Sequence, residues 1–300
     1  MVEFIQQRGT LFHIGFSFFF LIILLGLNRL QRSVPSPVNK MFIRWLRLFV
    51  TGLFFGLVLK ISVLQGVAYW RLCMIGFLLW CLVESLYIWF YILAWDRSEQ
   101  PLFPKIRKVD RVDWPANKRF FLIRDWIRQN HYEEIGAFRY YYEEIVLQQA
   151  IIYQSPDKTV RIQVMIIPDS TGVIMDQVIF VSQNSDGVRY ISDNIFMPFG
   201  GIYPDDWKVK RYASVRRIES LVKRHVDTLA RAGVTCVQME DEPLAWIEET
   251  QKLLEALNIE YGLLNPPRDR QEFGKLTGEG RYRIWKELLL LNYFCKSSIV

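Results

Sequence analysis

Long uninterrupted runs of apolar residues fall almost entirely before position 96. Three of them, at about 11–27, 46–67 and 72–95, approach or exceed the roughly 20 residues that a helix needs to cross about 30 Å of hydrocarbon. The second and third runs are too long for a helical hairpin buried in a soluble core, and Trp and Tyr rings lie near their ends, as at a membrane interface. The pattern therefore predicts a three-helix transmembrane region within residues 1–95.

The first run has a second interpretation, because a cleaved signal peptide also contains a short apolar core. Its leader contains Glu3 as well as Arg8, and no cleavage site of the small-x-small type follows the run. These features favour an uncleaved membrane anchor.

The apolar pattern changes to a shorter period after residue 144. Apolar and polar residues alternate there, as is typical of half-buried strands. The alternation predicts two antiparallel hairpins, with strands at 145–154, 159–167, 173–181 and 188–192. Asp186-Gly187 supports the second turn, since glycine readily adopts the positive φ that tight hairpins require.

Helical spacing returns after these strands. Helices are expected from Ser214 to Ala232, from Pro243 to about Leu257 and from about Glu279 to Phe294, and residues 234–239 are a candidate fifth strand. Strands followed by helices indicate the α+β class. We therefore predict a soluble α+β domain over residues 117–300, with an antiparallel sheet of about four or five strands.

The segment between the last span and this domain is basic and rich in proline. Residues 96–116 are predicted to be a juxtamembrane linker along an anionic lipid surface. Residues 118–130 follow with apolar side chains at helical spacing. That helix has two interpretations of equal weight, an interfacial helix lying in the headgroups or the first core helix of the domain.

The distribution of charge predicts orientation and argues against a nucleic-acid partner. Residues 1–119 hold 15 Lys or Arg and 6 Asp or Glu, whereas residues 120–300 hold 22 and 25. Twelve of the basic residues near the spans lie in 28–47 and 96–119, and only Arg8 and Arg71 lie at the opposite ends. The positive-inside rule predicts a multi-pass protein of the plasma or inner membrane, with its N-terminus outside and its C-terminal domain cytoplasmic.

Two charged residues fall within the apolar runs, Lys60 in the second and Glu84 in the third. Charged residues inside a bilayer are functional candidates by default. In a tight hairpin Lys60 is expected about 6 Å nearer the outer side than Glu84, within reach of a lysine stem. We predict an intramembrane ion pair, with a proton or ion relay as the alternative.

Known catalytic and cofactor motifs are absent from the sequence, so no cofactor is identified. Four scattered cysteines without a C-x-x-C pair indicate neither a disulfide framework nor a zinc site. The three histidines lack the close spacing of metal ligands, and His225 is expected on a solvated helix face. The sequence therefore predicts no metal site.

Two groups of residues remain as candidate sites. The weak catalytic candidates are Asp205, Asp206, Glu240, Asp241 and Glu242, whose carboxylates suit acid–base chemistry or a divalent cation. For the last three, helix N-terminal acids before Pro243 are the alternative.

The second group lies in, and just before, the glycine-rich aromatic loop at residues 197–207. A ligand-binding loop and a plain crossover between elements are both compatible with this composition. The ligand-loop candidates are Asp193, Asn194, Tyr203 and Trp207.

The first functional hypothesis is a membrane protein that tethers a cytoplasmic domain, which binds a partner or senses a ligand without catalysis. A membrane-bound enzyme using the carboxylates with a divalent cation and a small transporter subunit are the alternatives. The expected partners are the lipid bilayer and either another membrane protein or a second copy of the chain. No nucleic acid is expected.

Overall fold

A computed structural model describes residues 2–33, 36–64, 66–168 and 174–297, with side chains from residue 9 onward except those of residues 32 and 33. The chain divides into two compact units. One comprises the residues up to 91 together with 292–295, and the other comprises residues 92–291 with the residues after 295.

Three long helices form most of the first unit: α1 (Val2–Ser33), α2 (Pro37–Ser62) and α3 (Tyr69–Asp96), whose last residues belong to the second unit. The segments Gly9–Gln31, Pro37–Ser62 and Tyr69–Asp96 are each long and apolar enough to cross a membrane. Many of their large apolar side chains are exposed on the protein, as expected of surfaces that face lipid. The prediction of three long apolar N-terminal helices is confirmed.

Small residues bring α2 and α3 close together. A Cβ atom added to Gly56 would lie 2.6 Å from the Cys73 Sγ and 2.8 Å from its backbone nitrogen. A Cβ atom added to Gly52, one turn earlier, would lie close to the Cys73 carbonyl oxygen. A Cβ atom added to Gly76 would meet the Phe55 side chain. Membrane helices associate through such glycine contacts because lipid offers no hydrophobic driving force between helices.

This register separates the two predicted intramembrane charges. Lys60 lies near the α2–α3 turn and donates to the Val67 carbonyl oxygen at 2.8 Å. Glu84 accepts instead from Arg44 Nη1 at 2.5 Å and from the Tyr293 hydroxyl. Arg44 and Lys60 are about 24 Å apart along α2. The expected pair between Lys60 and Glu84 is therefore not formed, because the turn falls earlier in the chain than the apolar runs suggested.

The second unit is built on one mixed sheet. Among the described residues its seven strands follow chain order: β1 (Lys105–Val109), β2 (Glu133–Tyr142), β3 (Ile145–Gln154), β4 (Arg161–Pro168), β5 (Ile174–Gln183), β6 (Arg189–Asp193) and β7 (Trp207–Arg211). Neighbours from β1 to β6 pair antiparallel, whereas β6 and β7 pair parallel.

The sheet has more strands than the sequence pattern predicted. Both expected hairpins are present, as β3–β4 and β5–β6, although Val173 lies outside the described residues. Strand β1 falls inside the segment predicted to be a linker, and β7 is only five residues long. In β2 three consecutive residues, 136–138, are buried, so no alternation marks it.

The candidate fifth strand at 234–239 is not formed. Cys236 makes a single bridge with Asn184, just beyond the end of β5. Because β4 and β6 already occupy both edges of β5, this segment has no strand edge along which a ladder could extend.

Helices cover both faces of the sheet. On one face, α4 (Lys118–Gln129) and α5 (Ile218–Ala232) bury residues that include Phe120, Ile123 and Leu221 against Ile151 and Ile162. The helix with two interpretations is therefore the first core helix of the domain. Asn117 begins it by accepting from the Arg119 amide.

On the opposite face, α6 (Pro243–Glu260) packs Trp246 and Ile247 against Phe138 and Ile152. Pro243 occupies the first turn as expected, and α5 ends before Gly233, whose φ is +63°. Helix α5 begins later than the expected Ser214. A 3-10 turn (Pro267–Asp269), α7 (Arg270–Phe273) and α8 (Gly278–Phe294) complete the chain.

His225 on α5 is buried rather than solvated. Its side chain lies between two strand hydroxyls, with Nε2 3.1 Å from Ser182 Oγ and Nδ1 3.0 Å from Ser192 Oγ. Burial lowers the pKa of His225 to about 4, because the charged form loses its hydration. The imidazole is therefore neutral near pH 7 and belongs to the core.

The free energy of unfolding is expected to fall as the pH drops from 6.5 to 4. Over that range the unfolded chain binds a proton that folded His225 does not, and the full effect amounts to about 3 kcal/mol. Denaturant titrations of the detergent-solubilised protein at pH 7.5, 5.5 and 4.5 measure this loss. His225→Gln should reduce the pH dependence, whereas His131→Gln, at an exposed position, should leave it unchanged. An equal pH dependence in all three proteins would contradict the assignment.

Candidate functional site

The chain connects the parallel strands β6 and β7 by a crossover without a helix. Residues 194–206 form this crossover loop, which contains most of the glycine-rich aromatic segment. Long loops of irregular backbone need side chains from elsewhere to satisfy their hydrogen-bonding groups. Here α6 and α8 supply them.

Asn258 of α6 fixes the middle of the crossover loop. Its Oδ1 accepts from the Ile202 amide at 2.7 Å, and its Nδ2 donates to the Ile202 carbonyl oxygen at 3.0 Å. Nδ2 also donates to Leu254 within the helix at 2.7 Å. Because Asn258 is buried, the amide group pairs with the loop backbone without competition from water.

Glu287 of α8 fixes the first half of the loop. One carboxylate oxygen accepts from the Phe199 and Gly200 amides, both at 2.8 Å. The other accepts from the Ser297 hydroxyl at 2.6 Å and from Arg211 Nη1 at 3.4 Å. The side chain is fully buried, and each of its oxygens has partners.

Arg211, at the end of β7, joins these contacts to the sheet. Its Nε donates to Asp193 Oδ1 at 2.9 Å, and both side chains are 2% exposed. Arg211 also donates to the Met197 carbonyl oxygen and to the Tyr203 hydroxyl, both at 3.2 Å. We call Asp193, Arg211, Tyr203 and Glu287 the buried polar network. A single cation thus lies between two carboxylates beneath the loop.

Burial shifts the protonation equilibria within this network. It raises the pKa of Asp193, although Arg211 acts in the opposite direction by stabilising the carboxylate. Burial also raises the pKa of Tyr203 to about 12. The phenol therefore stays neutral near pH 7 and accepts a hydrogen bond from the guanidinium group.

Two glycines allow the loop to approach the helices. Gly200 has a φ of +66°, and a Cβ there would lie 2.3 Å from the Ile284 side chain of α8. A Cβ on Gly201 would lie 2.6 Å from Asn258 Oδ1. Both positions therefore lack the space for a larger residue. The positive φ of Gly200 is a second reason at that position, because other residues rarely adopt it.

A groove of about 610 Å³ opens between this loop, strand β7 and the first turns of α8. Its cationic side chains are Lys208, Lys210, Arg283 and Lys286. Asp205 and Glu279 are its two acids, so the walls carry an excess of two positive charges. The rings of Tyr203, Trp207 and Tyr282 also line it.

The four cations of the groove differ in their contacts. Arg283 Nε donates to Glu279 Oε1 at 2.8 Å, and Lys208 Nζ donates to the Asp205 carbonyl oxygen at 3.0 Å. Within the part of the chain that the structure describes, Lys210 and Lys286 form no ion pair of 4 Å or less, and both are exposed. A carbonyl oxygen does not neutralise an ammonium group, so Lys208, Lys210 and Lys286 all lack a paired carboxylate among the described residues.

The four ligand-loop candidates have distinct surroundings. Asp193 and Tyr203 belong to the buried polar network, although Tyr203 also lines the groove. Asn194 serves the fold, since its side chain accepts from the Val178 amide and donates to the Val215 carbonyl oxygen. Trp207 lines the groove and packs in the apolar cluster beside it.

The carboxylate candidates do not converge on one point. Asp205 lies at the groove, and Asp206 is exposed after it, with its carbonyl oxygen accepting from the Arg189 amide. Glu240, Asp241 and Glu242 are exposed before α6, where the Glu242 side chain accepts from the Ala245 amide. Over the described residues no group of three His, Cys, Asp or Glu side chains is arranged to hold a metal ion.

Several residues that shape the groove escaped the sequence analysis. Of these residues, Glu287 could have been found from the sequence. It is an acid on the apolar face of α8, between Ile284 and Leu291, and a charge at such a position indicates a buried polar contact. Lys208 and Lys210 alternate with Trp207 and Val209, the period-two pattern of a strand, but five residues are too few to stand out.

Comparison with known proteins supplies no relative. No family model matches the chain, and neither a curated protein sequence nor a solved structure is significantly similar to it.

Removing the Glu287 carboxylate should destabilise the fold. Glu287→Leu leaves the Phe199 and Gly200 amides and part of the Arg211 guanidinium without acceptors, and the expected loss is about 3–5 kcal/mol in the free energy of unfolding. Denaturant titration of the detergent-solubilised protein measures it. Glu279→Gln on the same helix removes an exposed pair and should cost under about 1 kcal/mol. Similar losses for both variants would contradict the role of Glu287.

Proposed function

We propose that this chain is a multi-pass membrane protein that holds a ligand-binding α+β domain in the cytoplasm, with the groove beside β7 as its binding site. Three helices long enough to cross a membrane support the anchor. The excess of Lys and Arg in 28–47 and 96–119 supports the orientation.

The observation that carries this proposal is a loop whose backbone is hydrogen-bonded to two helices beside an open, charged groove. Asn258 and Glu287 bind the crossover loop through its backbone, so its conformation does not depend on a ligand. Rigid sites bind more tightly because less conformational freedom is lost on association. A plain crossover would also need partners for its backbone groups, but it would not need the lysines without carboxylate partners that line the groove.

The two alternatives have less support in the geometry. For an enzyme, the candidate carboxylates are divided between the groove and the start of α6, where Glu242 acts as a helix cap. For a transporter subunit, Glu84 is held by Arg44 and Tyr293, which is the arrangement of a structural ion pair. The binding protein therefore remains the proposal.

Cysteine labelling tests the orientation. In a variant lacking the four native cysteines, Val63→Cys lies at the exposed α2–α3 turn and Lys252→Cys on the exposed side of α6. A membrane-impermeant maleimide should label Val63→Cys in intact cells and Lys252→Cys only after permeabilisation. Labelling of Lys252→Cys in intact cells would overturn the cytoplasmic placement.

Photo-crosslinking in the native membrane tests the binding site. A photoactivatable phenylalanine at Tyr282, which is 48% exposed and lines the groove, should form an adduct upon irradiation. The same residue at Tyr261, 56% exposed and outside the groove lining, is the matched control. The mass of the adduct distinguishes a small ligand from a protein. Equal yields at both positions would contradict a binding role for the groove.

A further inference from the structure

The charge and the size of the groove together restrict what it can bind. Four cations and two acids surround a space of about 610 Å³, and Lys210 and Lys286 are exposed to it without a carboxylate partner among the described residues. Small-molecule sites fall in the range of about 300–1,000 Å³. A compact anion therefore suits this groove better than an extended partner.

We propose that the groove binds a phosphate-bearing ligand of about nucleotide size, an inference that rests on the proposed function above. Lys210 and Lys286 supply the charges for the phosphate oxygens, and Arg283 supplies a planar donor once it exchanges Glu279 for the ligand. Lysine binds phosphate as a compact point charge, whereas arginine offers paired donors.

Tyr282 supports a ligand that also carries a planar ring. Its side chain is 48% exposed, lines the groove and stacks on Trp285 with ring centroids 5.9 Å apart. The remaining exposed surface of the phenol ring is open to a second aromatic group. Exposed aromatic side chains bind nucleobases by stacking, because every base has a flat π face.

A polymeric nucleic acid does not fit these observations. Binding along a phosphate backbone requires many cations in a continuous track. The groove has four, and residues 120–300 carry more acidic than basic side chains. The phosphate groups therefore belong either to a free small molecule or to the headgroup of a lipid.

The test uses the full-length protein in nanodiscs of phosphatidylcholine, with pyrophosphate and ATP as probes. Titration calorimetry at low salt should detect binding of both probes, more tightly for ATP because of its ring, and the affinity should fall as salt is added. Lys210→Gln with Lys286→Gln should weaken binding at least about tenfold, since both ammonium groups would lose their charge-assisted hydrogen bonds to the phosphate oxygens. Lys223→Gln with Lys252→Gln, at exposed positions outside the groove lining, should bind as the unaltered protein does.

A second set of nanodiscs, containing a phosphorylated inositol lipid, separates the two sources of phosphate. If the headgroup occupies the groove, pyrophosphate should bind more weakly there than in pure phosphatidylcholine, and the lysine variant should remove the difference. Equal affinity in both sets indicates a free ligand, which also supports the proposal.

The proposal is overturned if neither probe binds at millimolar concentration, or if both lysine pairs affect binding equally. In that event a specific adduct at Tyr282 would show that the groove is a binding site for another class of ligand, whereas equal crosslinking at Tyr282 and Tyr261 would refute the binding site itself.

Discussion

The buried contact between Arg211, Asp193 and Glu287 is the interaction on which the candidate site depends. Two carboxylates and one guanidinium are removed from water, and such groups are costly to bury unless each is paired and hydrogen-bonded. The loop backbone provides the remaining donors through Phe199 and Gly200. These contacts offset the cost of removing the three charged groups from water. Because they form in one conformation of the crossover loop, they also favour that conformation over others.

The burial of neighbouring residues determines where the lysines of the groove lie. Strand β7 has alternate residues on opposite faces, so burial of Trp207 and Val209 directs Lys208 and Lys210 outward. Helix α8 buries Glu287, and its neighbour Lys286 is consequently exposed at the groove. The charged surface therefore follows from the packing of the apolar residues and the acid beneath it.

Polar contacts have a related role among the long apolar helices. Glu84 lies within α3, where an unpaired charge would be unfavourable in lipid. Arg44 and the Tyr293 hydroxyl pair with it, and the Trp45 indole donates to the Tyr293 carbonyl oxygen at 2.9 Å. In the first unit, as in the second, buried charge occurs where several elements meet, because satisfying a carboxylate requires donors from more than one of them.

Local sequence alone predicted the three apolar helices, the hairpins β3–β4 and β5–β6, and the ends of α5 and α6 at Gly233 and Pro243. These features follow from hydrophobic period, turn residues and helix caps, which act within a few residues. The composition of residues 197–207 also indicated a candidate ligand-binding loop. Tertiary structure decided the strands β1, β2 and β7, the pairing of Glu84 and the groove itself. Each of these joins residues distant in the chain, and neither period nor composition encodes which distant donor will meet a buried acceptor.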